Sequence, residues 1–216
     1  MKNSNLKSIV ELENELFNKW KKTRPNLIRD GVVNEDNYLS SKLKVLYILK
    51  EVHGNWEMKK HLGKDENGVT WNNIARWQYG IENIDSEMTF EKIRYINRQF
   101  RHKYLKNIAV LNIKKEYGGA RSKPKELRGY TEVDRELLRE QINIYSPDII
   151  ICGGIGEILR KNKLVDGFKK WNVSKERKVQ YHKTDDLIII NFSHPNASIS
   201  IQRRFWDLIK TIREIR

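Results

Sequence analysis

Four short apolar runs, rich in β-branched residues, constrain this chain more than any other feature. They are Leu43–Leu49, Ile108–Ile113, Ile149–Cys152 and Leu187–Phe192. Each is continuous rather than alternating, the pattern of a strand buried on both faces. Helical spacing fills the intervals. Leu6, Ile9, Val10, Leu12, Leu16, Phe17 and Trp20 predict a first helix over about residues 5–22, ended by Pro25. Further helices are expected near 71–79, 90–104 and 131–144, the last capped by Thr131 with Asp134 in its first turn. A short helix should follow Gly153-Gly154-Ile155-Gly156, and an edge strand should lie near 179–181. A final helix over about 200–215 has the apolar stripe Ile201, Phe205, Leu208, Ile209 and Ile212, with Ser198 or Ser200 as its cap. The expectation is an α/β protein of three layers, α/β/α, around a central, mainly parallel four-stranded sheet. Residues 1–216 read as one domain, with 53–106 a polar and aromatic insertion between the first two core strands.

Such sheets place their sites at the carboxyl ends of the strands. That rule gathers four loops: 50–56, 112–123, 153–156 and 193–198. Glu51 and His53 follow the first strand and offer a carboxylate and an imidazole, or Lys50 and Glu51 are simply the first solvated residues past it. Asn112 closes the second strand, where its amide can pair with a base edge or tie two loops together. Lys114, Lys115, Arg121 and Lys123 surround Gly118-Gly119 in a loop suited to phosphate, although charge runs are commonly plain surface. Trp71 and Trp77 lie in an amide-rich stretch; one of them is expected to line a pocket and the other to join the core. Ser193-His194-Pro195-Asn196-Ala197-Ser198 closes the fourth strand. Proline restricts the preceding histidine to extended conformations, which holds the imidazole at the sheet rim.

The chain of 216 residues carries 42 Lys and Arg against 28 Asp and Glu, a net charge of +14. That balance favours a polyanionic partner such as DNA, RNA or an acidic surface. A single cysteine, Cys152, excludes an intramolecular disulfide and any multi-thiolate cluster within the chain. No metal-ligand spacing, P-loop or GxSxG elbow is present, so no metal and no cofactor are expected. Met1–Asn5 has no apolar signal core, and no window approaches the ~20 apolar residues of a membrane span. A soluble, cytoplasmic monomer is the expectation.

Taken together, these segments resemble the uracil-DNA glycosylase superfamily. The similar features are Leu46-Tyr47-Ile48-Leu49-Lys50-Glu51, the strand ending in Asn112, the stretch Pro147–Gly154, and the His194-Pro195 segment, which is similar to the family's His-Pro-Ser signature. The resemblance spans about residues 43–216 and implies the family fold. It also implies an enzyme that extrudes a nucleotide from DNA and hydrolyses its base–sugar bond. Glu51 would position water, His194 would stabilise the departing base, and Asn112, with His53, Trp71 and Trp77, would hold that base. Ser193, Asn196, Ser198 and Arg203 would join Lys114, Lys115, Arg121 and Lys123 on the DNA, with Ile199 or Ile201 as a wedge. Lys50-Glu51-Val52-His53 stands where the family carries Gly and Pro around Asp or Asn, and Asn196 stands where it often has Ser. The expected substrate is therefore a damaged or modified base, in DNA repair or phage defence. Two other readings remain open: an inactive nucleic-acid-binding module of the same fold, and an α/β enzyme with a small phosphorylated ligand near Gly153–Gly156.

Overall fold

The computed structural model describes residues 7–52, 57, 62, 68–118 and 122–216. All four apolar runs are strands: β2 (Val45–Leu49), β3 (Ile108–Asn112), β4 (Ile149–Gly153) and β7 (Ile188–Phe192). They pair in parallel in the order β3-β2-β4-β7. The sheet has seven strands rather than the four expected. β1 (Gly31–Val32) pairs antiparallel with β3, β6 (Gln180–Lys183) antiparallel with β7, and β5 (Asn172–Val173) antiparallel with β6. The added strands carry short or exposed sequences, and their neighbours' backbone groups hold them in the sheet.

Helices cover both faces. Val45, Tyr47, Val110, Ile151 and Ile190 face the helices Val69–Glu82, Arg98–Leu105 and Ile201–Ile215. Leu46, Ile48, Leu111, Ile150 and Cys152 face the helices Ile9–Lys21, Arg135–Tyr145 and Gly156–Lys161. The 53–106 insertion thus supplies much of one layer. Val69–Glu82 and Ile201–Ile215 approach closely at Gly80, where an added Cβ would lie 2.5 Å from Ile209 Cδ1 and 2.8 Å from Phe205 Cε2. Both neighbours are fully buried and cannot swing aside. Gly80→Ala should therefore cost about 1–3 kcal/mol of stability despite alanine's better helix propensity. A drop in the urea midpoint checks this.

Two expected helices divide. The 90–104 helix breaks at Tyr95, which is extended, and restarts behind Asn97, whose side chain accepts from Phe100 N–H. The 131–144 helix is two helices, Pro124–Val133 and Arg135–Tyr145, joined at Asp134. Thr131 is no cap; it lies inside the first of these with its hydroxyl donating to Leu127 O. Asp134 instead pairs with Arg24 at 3.1 Å. At the last helix, Ser200 is the cap, accepting from Arg203 N–H. Among the described residues, no helix is long and apolar enough to cross a membrane.

Candidate active site

Strand register brings the four loops to one sheet edge. Leu49 lies opposite Asn112, Ile48 opposite Cys152, and Gly153 opposite Phe192. The chains leaving β2 and β3 stay zipped: Ile113 N–H donates to Leu49 O and Lys114 N–H to Lys50 O, both at 3.0 Å. Gly118 N–H then donates to Val52 O at 2.9 Å.

This pairing buries Glu51, whose side chain is 4% exposed. Its Oε2 is 3.3 Å from Lys114 Nζ, while its buried Oε1 has no hydrogen-bond partner among the described residues. A Cβ on Gly118 would lie 2.1 Å from Glu51 Oε2, so the glycine leaves the room that the carboxylate fills. Lys114 also pairs with Glu126. Burial by itself lowers the Lys114 ammonium's pKa, but the bonds and charges of Glu126 and Glu51 outweigh it and hold the group above its ordinary value.

At the other end of the edge, His194 is half-buried and its Nδ1 accepts from Asn196 N–H at 3.1 Å. An accepting Nδ1 leaves the ring proton on Nε2, which makes that nitrogen the donor. The loop is clamped from two helices. Pro195 O accepts from Asn73 Nδ2 at 2.8 Å and from Arg204 Nη1 at 2.7 Å. Arg204 Nη1 also reaches His194 O at 3.0 Å. Arg76 turns the Asn73 amide by donating to its Oδ1 at 3.1 Å. Burial lowers the pKa of both arginines.

Gly154 joins the two ends. It adopts φ +75°, a left-handed conformation that suits glycine. Its side-chain space is bordered by Lys50 Cε at 3.5 Å and His194 Cβ at 3.7 Å. Sequence reasoning assigns Lys50 no role beyond that of a solvated residue past the strand, and it singles out neither Asn73 nor Arg204. A signal existed for Asn73: an amide among Trp71, Ile74 and Trp77 must find a partner when buried.

The structure sorts the other candidates. Asn112 is buried on the same sheet face as Ile108 and Val110, and its N–H donates to Asp30 Oδ2 at 2.6 Å. Trp77 is core, with its ring 5.2 Å from Phe192 and 6.5 Å from Tyr47. Trp71, also buried, lies nearer the surface. Lys115 corrects its expected role at phosphate: it is fully buried, with Nζ 2.7 Å from Asp30 Oδ2, because Asp30 and Gln141 supply an internal anion and acceptor. Lys123, Asn196, Ser198 and Arg203 are exposed, as are Ile199 and Ile201. Ser193 Oγ is buried without a hydrogen-bond partner among the described residues. His53 and Arg121 lie outside the described residues. No described cluster of three or more His, Cys, Asp or Glu could hold a metal, and burial pushes the Cys152 thiol's pKa up, which makes it a poor nucleophile.

No family model matches the chain, and no curated protein matches it either.

Proposed function

We propose that the chain is a DNA glycosylase with a uracil-DNA glycosylase-like fold, acting on a damaged or modified base. The observation that carries this reading is the pairing of roles along one sheet edge. Glu51 has a buried carboxylate oxygen with no partner among the described residues, and His194 has its Nε2 proton fixed by the Asn196 bond. Buried carboxylate oxygens rarely stay unpaired, and water is the partner such an oxygen would take. In the reaction, Glu51 accepts a proton from water as its oxygen attacks C1′ of the deoxyribose. The C1′–N bond breaks, its electrons pass to the base, and His194 Nε2–H stabilises that growing negative charge. The products are the free base and an abasic site. Both groups act where charge develops, so they favour the transition state over the bound substrate. Asn112 and Trp71 would hold the base, while Lys123, Asn196, Ser198 and Arg203 would contact phosphates.

The test is incubation with a panel of genomic DNAs, including phage DNAs with modified bases, followed by mass spectrometry of released bases. The expected result is one released base class and matching abasic sites. Glu51→Gln should then lower the release rate by about 10²–10⁴ with little change in DNA affinity. Equal activity in Glu51→Gln would remove Glu51 from the mechanism.

One observation favours a second reading, that of a binding module without catalysis. Glu51 is nearly enclosed and half-engaged by Lys114. On that reading, the same panel gives salt-dependent binding and no released base from any DNA.

A further inference from the structure

Charge is unevenly spread along the chain. Residues 160–183 hold nine Lys and Arg against two Asp and Glu, a net +7, half of the chain's +14. This stretch contains the β5–β6 hairpin, which forms one wall of a groove of about 590 Å³. The other wall is the start of the Ile201–Ile215 helix. Lys178, Gln180, Asn191, Ser193, Arg203 and Arg204 line it. Ser193, the residue before His194, connects the groove to the candidate active site.

We infer that this groove seats the phosphodiester backbone of the DNA strand beside the nucleotide held at His194. The inference rests on the proposal that the chain acts on DNA, and it adds a second contact surface to it.

Four observations carry it. First, the cations outweigh the acid: Lys178 is exposed with no ion pair among the described residues, and the one lining carboxylate, Asp207, already lies 3.6 Å from both Arg177 and Arg203. Second, Ser193 Oγ is buried at the groove without a partner among the described residues, and a hydroxyl in that state suits a phosphate oxygen. Third, Phe192 is the one aromatic among the described lining residues and it is buried, so those residues offer no exposed ring for a base to stack on and favour backbone over base. Fourth, the hairpin wall is held in place. Glu214 on the last helix accepts from Lys175 N–H at 2.6 Å and Glu176 N–H at 3.1 Å, and Lys210 pairs with Glu176 at 2.8 Å. A cationic wall fixed in advance loses little freedom when phosphate binds.

The test is fluorescence anisotropy of the full chain with a 20-base-pair duplex of ordinary bases, over a series of NaCl concentrations. Lys178→Glu is compared with Lys42→Glu, an exposed lysine at the opposite end of the strands. Lys178→Glu should weaken binding and make the slope of log K against log salt shallower by about one, the signature of one lost phosphate contact. Lys42→Glu should leave the slope unchanged. Equal losses in both variants, an unchanged slope in Lys178→Glu, or no duplex binding by the wild type would each overturn the inference. The assay needs no base release. Lys178-dependent binding without any released base would discard the glycosylase reading alone. Base release with a Lys178-independent slope would discard the groove alone.

Discussion

Lys115→Met is expected to lower the unfolding free energy by about 3–5 kcal/mol, seen as a large fall in the urea midpoint. Lys115 Nζ lies 2.8 and 2.7 Å from the two Asp30 oxygens and 2.7 Å from Gln141 Oε1, in a site with almost no exposure. Burial pulls its pKa below the ordinary lysine value, although Asp30 opposes that shift. Methionine fills much of the same space but leaves the Asp30 carboxylate without its cation. Asp30 also accepts from Asn112 N–H at 2.6 Å and Gln141 Nε2 at 2.8 Å, so the damage would reach the end of β3. The double variant Asp30→Asn, Lys115→Met removes both charges while keeping an acceptor for Asn112 N–H. It should recover more than half of the loss. No recovery would mean that the lysine stabilises the fold through its cation–π contact with Trp20, whose ring centre lies 4.8 Å from the ammonium, rather than through Asp30.

His194→Ala is expected to slow base release by about 10²–10³, the usual effect of removing one donor to a developing anion. DNA affinity should stay within about twofold, because phosphate contacts dominate it. Both are measured on the base class that the DNA panel identifies. Arg204→Met tests the clamp rather than the ring. Its loss leaves Pro195 O to Asn73 alone and frees His194 O from one partner. The expected result is a smaller fall in rate than in His194→Ala, with a change in the ¹⁵N shifts that report the His194 tautomer. Full activity in His194→Ala would end the assignment of the histidine to the leaving base.

The four central strands were legible because burial on both faces demands an unbroken apolar run, and few other elements produce one of that length. β1 and β5 were not legible. Two residues carry no period, and Gly31-Val32 is a strand only because Val110 and Ala109 stand beside it. The first helix shows the same limit. Its apolar pattern favours Leu12 over Glu13, yet Glu13 is buried, because its Oε1 accepts from Val32 N–H at 2.8 Å. Apolar spacing cannot anticipate a carboxylate that finds its donor on another element. The hinge at Asp134 is similar, since the partner there is Arg24, far away in sequence.

The candidate site divides along the same line. Its location followed from the order of strands and loops, because parallel strands must deliver their carboxyl ends to one edge. So did the presence there of Glu51, Asn112 and His194, each read as the residue just past or closing a strand. What each side chain does there required the folded chain. Lys114 and Lys115 are neighbours of one chemical type, yet one pairs with Glu51 beside the site and the other is sealed against Asp30. Adjacent residues leaving a strand point to opposite sides, and which side holds an anion is decided by elements distant in sequence. The clamp of Asn73 and Arg204 on the His194 loop and the groove beside Lys178 arise in the same way. Local patterning chose the strands, the helices and the edge where chemistry can occur; long-range packing chose the partners of the buried charges Glu13, Lys114, Lys115 and Asp134.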